Sequence, residues 1–176
     1  KFDQRVDRER VGPLLRAADE IVWSCYREVY KQLPKPSPGA DGIIQKPPPL
    51  PYIAPDYSPA VWDAAREGAS GLSAGMVLKG LDEFVNNMPV PLLRLPPWCV
   101  DASWWLIFIG HEIGHVIQSN LGLVKAFREM VVLVAEANGF KDEYLKRWGA
   151  WSEEIFADVF SLMMVGRSAG DALVEV

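Results

Sequence analysis

Both histidines of this 176-residue chain, His111 and His115, lie in its most apolar run, WWLIFIGHEIGHVIQ. On a helix, residues i and i+4 stack on one face, so the pair can present two imidazole nitrogens to a single point. Zinc takes nitrogen ligands at about 2.0–2.1 Å in tetrahedral directions, and these residues fill two of its positions. Glu112 projects about a third of a turn away, off the ligand face but within reach of a water at an open coordination position. This is the H-E-x-x-H spacing, in which the glutamate is the general base. Gly110 and Gly114 suit the same helix, because small residues let a backbone or a substrate approach closely. Two satisfied core histidines are the plainer alternative. The whole histidine supply at metal spacing, with a glutamate directly after the first, favours the metal.

A catalytic zinc needs a third protein ligand and an open fourth position. With no further histidine, and no cysteine suitably placed, the third ligand must be a carboxylate. Glu129, Glu136, Glu153 and Glu154 are the downstream choices. In the segment EEIFADVFSLMMVG, Ile155, Phe156, Val159, Phe160, Leu162, Met163 and Met164 cover most of the helical circumference. The remaining sector holds Glu154, Ala157, Asp158 and Ser161. A carboxylate on a buried helix must be paired, hydrogen-bonded or metal-bound. Ala157 and Ser161 are small enough for the histidine helix to come close. Glu154 is therefore the preferred third ligand, with Glu136 the main rival. Asp158, one turn on, is placed to accept a hydrogen bond from the far nitrogen of a liganding histidine. Helix-dipole stabilisation of acids in a first turn explains Glu153, and Glu154 in part, but not Asp158.

Elements must hold these groups in place. Residues 11 to 33 carry Leu14, Ala18, Ile21, Val22, Cys25, Val29 and Leu33 at helical spacing, with Pro13 in the first turn. Residues 34 to 59 contain nine prolines and predict an extended, surface-wrapping segment whose Ile43, Ile44, Leu50, Tyr52 and Ile53 pack on the body. Ser58 and Pro59 read as the cap and first residue of a short helix reaching about Gly68. Val77, Leu81, Phe84, Val85 and Met88 predict another helix over 73 to 88. VPLLRLPP, from residue 90, reads as extended, with prolines that would confine it to a sheet edge. Asp101 or Ser103 caps the histidine helix, which runs to about Asn120. A helix over 123 to 138 turns Phe127, Met130, Val131, Val134 and Ala135 inward. A short helix over 141 to 148 precedes a last one, capped by Ser152 and stopped by Gly166. A small sheet pairs 43–46 with 90–95. The expectation is one predominantly helical α+β domain over 1–176: an N-terminal helix in 1–33, a proline-rich loop in 34–57 and a core in 58–176.

Apolar residues at 49% and charged residues at 23% are ordinary globular composition. A net charge of −5 with scattered basic residues argues against nucleic-acid binding. The charged group DQRVDRER near the N-terminus reads as a solvated face or tail. Cys25 and Cys99, among apolar neighbours, read as buried free thiols, though one disulfide would also satisfy the sequence. No run is long and apolar enough to span a bilayer, and no secretory apolar region is visible, which favours a cytoplasmic location. The first residue is Lys1, so the chain can be a piece of a longer protein with further domains.

HEIGH followed by EIFAD resembles the gluzincin zinc metallopeptidases, whose H-E-x-x-H is joined by a glutamate in an E-x-x-x-D helix. The E-x-x-A-D form, Glu154 to Asp158, is similar to that of the CAAX-processing peptidases and of small bacterial peptidases that cleave phage-type repressors. The likeness covers residues 104 to 165 alone. It implies a zincin-like compact domain, a Zn2+ cofactor, a protein or peptide substrate, His111, His115 and Glu154 as ligands, and Glu112 as base for attack by a metal-activated water. The membrane-spanning segments of the CAAX-processing group are absent, as is an oxyanion-assisting histidine. Tyr144, Arg147, Arg167, Tyr52 and Tyr57 are the candidates for that donor, and the 90–95 strand is the candidate edge for an extended substrate. The alternatives are a non-catalytic zinc-containing regulatory or interaction module of a larger protein, and a metal-free helical interaction domain that uses the proline-rich loop as its contact surface. That loop could also cover the cleft as an autoinhibitory segment.

Overall fold

The computed structural model describes residues 2–34, 45–54, 60–62 and 90–174. Helix α1 spans Phe2–Val6 and α2 spans Val11–Gln32. The stripe on α2 behaves as its spacing requires: Leu14, Ala18, Val22 and Cys25 are buried, joined by Leu15 and Tyr26. Strands β1 (Leu50–Ile53), β2 (Ala60–Trp62) and β3 (Leu92–Leu95) form a sheet in the order β1-β3-β2, with β1 parallel and β2 antiparallel to β3. Two 3-10 segments, Pro97–Val100 and Ser103–Phe108, lead into α3 (Ile109–Asn120). Then come α4 (Val124–Ala137), α5 (Glu143–Val165) and α6 (Arg167–Val174). The result is a predominantly helical α+β architecture. One core joins Leu15 and Val22 of α2, Leu93 and Leu95 of β3, Ile109, Ile113 and Ile117 of α3, and Phe160 of α5.

Several sequence expectations need correction. The first strand lies at Leu50–Ile53 rather than 43–46; Gln45 and Lys46 are irregular, and 43–44 lie outside the described residues. The segment at 90–95 is not an edge. Its strand is central, because Pro91 and Pro96 flank Leu92–Leu95 and leave every ladder N–H in place. It therefore cannot be the edge that receives a substrate. The helix expected from Ser58 gives way to β2 over Ala60–Trp62, and its remainder, with the helix over 73–88, lies outside the described residues. No side chain caps the entry to α3, which begins as a 3-10 segment. Asp101 instead pairs with Arg10.

The two helices expected at the C-terminal end are one continuous α5. Ser152 caps nothing; its hydroxyl donates to the Gly149 carbonyl at 2.9 Å, within the helix. Nor is α5 buried nearly all round, for Val159, Leu162 and Met163 are exposed, the last at 79%. On α4, Ala135 is buried and Phe127 and Val131 are half-buried, but Met130 and Val134 face solvent. Both helices are more apolar than their packing among the described residues demands.

The N-terminal charges are not a free tail. Arg5 forms a two-pronged ion pair with Asp19, at 2.5 and 3.1 Å, and donates to the Pro51 carbonyl at 2.8 Å. The Gln4 amide donates to the Ile53 carbonyl at 2.9 Å and accepts from the Ile53 N–H at 3.0 Å, as a neighbouring strand would. The proline-rich segment is tied down from its other side by Tyr26, whose hydroxyl reaches the Pro47 carbonyl at 3.4 Å and accepts from the Asn120 amide at 2.6 Å.

Cys25 and Cys99 are buried and unbonded to each other. Burial pushes both thiols up to about 11, because an apolar surround disfavours the thiolate. Both are thus thiols at neutral pH and poor metal ligands or nucleophiles. Among the described residues, no helix is long and apolar enough to cross a membrane.

Candidate metal centre

The packing of α3 on α5 decides the site, and small residues decide the packing. A Cβ at Gly114 would fall 2.8 Å from Ala157 Cα, and one at Gly110 would fall 2.9 Å from Ser161 Oγ. The backbones therefore meet almost directly along the sector of Ala157 and Ser161, both buried. Glu154 and Asp158 lie on the same sector and are carried to the histidines.

There the donor atoms converge. His111 Nε2 and His115 Nε2 are 3.1 Å apart, and Glu154 Oε2 lies 3.3 Å from the first and 3.5 Å from the second. Ligands about 2.0–2.1 Å from a common centre, at tetrahedral angles, are separated by about 3.3–3.4 Å. The three observed separations bracket that value. Two imidazoles and a carboxylate are the donors of a borderline transition metal; calcium and magnesium prefer oxygen throughout. The residues present fit such an ion. Among the described residues, this is the one group of three or more His, Cys, Asp and Glu side chains that converges in this way.

Asp158 Oδ1 lies 2.8 Å from His111 Nδ1. A carboxylate only accepts, so the imidazole proton resides on Nδ1 and the Nε2 lone pair faces the centre. The expected contact between Asp158 and the far nitrogen of a histidine is present. Replacing Asp158 with Asn should weaken metal affinity by about 10–100-fold, read by competition with a chromogenic chelator, while the fold persists. An unchanged affinity would reduce Asp158 to a bystander.

The histidine side chains retain 16% and 19% of their exposure and Glu154 retains 61%, so the centre opens on the α5 side. Glu112 is partly buried in the first turn of α3. Glu136, the rival ligand, is exposed near the end of α4 and outside the cluster, and Glu129 sits 3.9 Å from Lys125.

The candidate oxyanion donors are dispersed. Tyr144 and Arg147 are exposed at the start of α5, with the guanidinium 6.0 Å from the phenol ring centroid. Arg147 precedes Glu154 by two turns, about 10 Å along the axis. Arg167 lies on α6 beside Asp171, and Tyr52 is buried in β1. Tyr57 lies outside the described residues.

One polar residue escapes the sequence reading. Gln118 is fully buried on α3, and neither its amide nitrogen nor its oxygen has a hydrogen-bond partner among the described residues. It stands seven residues after His111 and so returns to the histidine face. The signal was its spacing, three residues after His115 and seven after His111, which places a polar side chain on the histidine face.

No protein-family model, curated protein or solved structure matches this chain.

Proposed function

We propose that this chain is a zinc-dependent endopeptidase. The observation that carries the reading is the convergence of His111 Nε2, His115 Nε2 and Glu154 Oε2 at 3.1–3.5 Å, with Asp158 fixing the tautomer of His111. The gluzincin likeness of HEIGH and EIFAD supports it. Zinc, when bound, lowers the pKa of a coordinated water to about 7 and polarises a carbonyl oxygen. His111, His115 and Glu154 hold the ion. Glu112 accepts the proton of the attacking water and delivers it to the leaving amide nitrogen, so that an amine departs. Asp158 keeps His111 oriented throughout.

A zinc-loaded preparation should hydrolyse casein or a mixed peptide library, lose that activity to a chelator and regain it on addition of one equivalent of zinc. Tight binding of one zinc without hydrolysis of any substrate would favour the regulatory-module reading instead. Failure to bind zinc would remove both.

A further inference from the structure

Upstream of the histidines the chain is strongly aromatic. The rings of Trp104 and Trp105 stack with centroids 4.7 Å apart, Trp105 meets Phe108 at 5.1 Å, and Trp98 approaches Trp105 edge-on at 6.3 Å. The backbone explains the row. Ser103–Phe108 is a 3-10 helix, in which residues three apart eclipse, so Trp105 and Phe108 project along one line. At Ile109 the chain relaxes into α-helix. His111 and Glu112 follow Phe108 by three and four residues, so the line through Phe108 runs between them. The aromatic row therefore ends at the turn that carries one metal ligand and the proposed base.

Core packing does not account for the whole row. Leu106 and Ile109 are the buried residues of this stretch, whereas Trp104 is 50% exposed and Trp98, Trp105 and Phe108 keep partial exposure. Phe108 precedes His111 by about 5 Å along the helix axis, and Trp105 precedes Phe108 by about 6 Å. An extended peptide advances about 3.3 Å per residue. A chain lying along the row with its reactive bond at the metal would set a side chain one or two residues away beside Phe108. Side chains three or four residues away would lie beside the tryptophans.

We propose that Trp104, Trp105 and Phe108 are specificity-determining residues that hold an aromatic side chain of the peptide, one to four residues from the bond that is cut. This rests on the endopeptidase reading. An aromatic side chain is the occupant because ring faces and edges suit another ring and both acids beside the row are otherwise engaged, Asp101 by Arg10 and Glu112, on the endopeptidase reading, by the reactive water.

The experiment uses peptides identical except for Phe, Arg or Ala at each of the four positions on either side of the cleaved bond. The wild-type protein should prefer Phe at one of those positions by about 3–10-fold in kcat/KM, the range of an aromatic pair. Trp104→Ala should erase that preference through KM, and Trp104→Phe should restore it. Trp23→Ala, on the outer surface of α2, serves as the control that keeps it. The same peptides, fluorescently labelled and titrated into Glu112→Gln protein, should show the same preference in Kd without turnover.

Cleavage that ignores the Phe substitution, or a preference that survives in Trp104→Ala, would overturn the assignment and leave the peptidase reading standing. A preference for Arg would make the row a cation site and likewise overturn it. If no peptide is cut by zinc-loaded protein, the peptidase reading fails, and the titration then decides the aromatic row alone: binding blind to Phe refutes it.

Discussion

Glu112→Gln should retain one zinc per chain while kcat falls by about 10²–10⁴-fold, the range that a positioned proton acceptor contributes. The amide matches the carboxylate in shape, so neither the first turn of α3 nor the donor atoms of His111, His115 and Glu154 should move. What disappears is the ability to take a proton at neutral pH. Metal content by mass spectrometry and turnover on one peptide separate the two roles. A proton acceptor acts in the chemical step, so the loss belongs in kcat rather than in KM. Full turnover in this variant would refute the assignment of Glu112, while loss of the metal would move the residue from base to structural support.

Gly114→Ala should destabilise the protein and loosen the metal together. Two effects oppose one another here. Alanine is favoured over glycine inside a helix by about 1 kcal/mol. Against that, the new methyl would sit 2.8 Å from Ala157 Cα and 3.2 Å from both the Ala157 carbonyl oxygen and Phe160 Cβ. Those neighbours are backbone and the stem of a buried ring, which cannot swing aside, so α3 and α5 must separate. Overpacking of this kind costs about 1–3 kcal/mol and outweighs the propensity gain. For a chain of this size, each net kcal/mol lowers Tm by about 2–4 °C. Glu154 rides on α5, so the same separation lengthens its reach to the histidines, and zinc affinity should fall. Gly170→Ala is the comparison: its methyl would meet only the tip of Leu162, at 3.2 Å, a flexible side chain that can yield. Equal melting curves for the two variants would show that the α3–α5 approach is less tight than the geometry requires.

The predominantly helical α+β class and the convergence of His111, His115 and Glu154 were both legible in the sequence. Local helical geometry places His111 over His115, and the shared sector of Glu154, Ala157, Asp158 and Ser161, of which Ala157 and Ser161 are buried, follows from counting around one helix. Partnership between the two helices was expected from the small Ala157 and Ser161; that Gly110 and Gly114 meet them is what the structure adds. The sheet was less legible because prolines were weighed by number rather than by position. Pro51 lies within β1, an edge strand, as a residue without an N–H should. Pro91 and Pro96 only bracket β3 and do not prevent it from being central.

The same ambiguity affected α5. Ser152 reads locally as the cap of a new helix after a short one over 141–148. In the folded chain, a Cβ at Gly149 would fall 3.3 Å from both Arg128 Nε and Val132 Cγ2 of α4, and Ser152 turns its hydroxyl back onto the preceding turn. That purpose is visible only once the partner helix is in place. The inward face of α4 was illegible for a related reason: Met130, Leu133 and Val134 make the helix apolar on a side that meets solvent, so periodicity could not tell one flank from the other.

Gln4 and Arg5 occupy the outward peptide groups of β1 at Pro51 and Ile53, which closes that border of the sheet to further pairing. In the three-stranded order the opposite border belongs to β2. For protein engineering the consequence is practical. A fusion partner or purification handle joined ahead of residue 2 would load the short helix α1 that seals the sheet, whereas one attached after α6 would leave that seal alone.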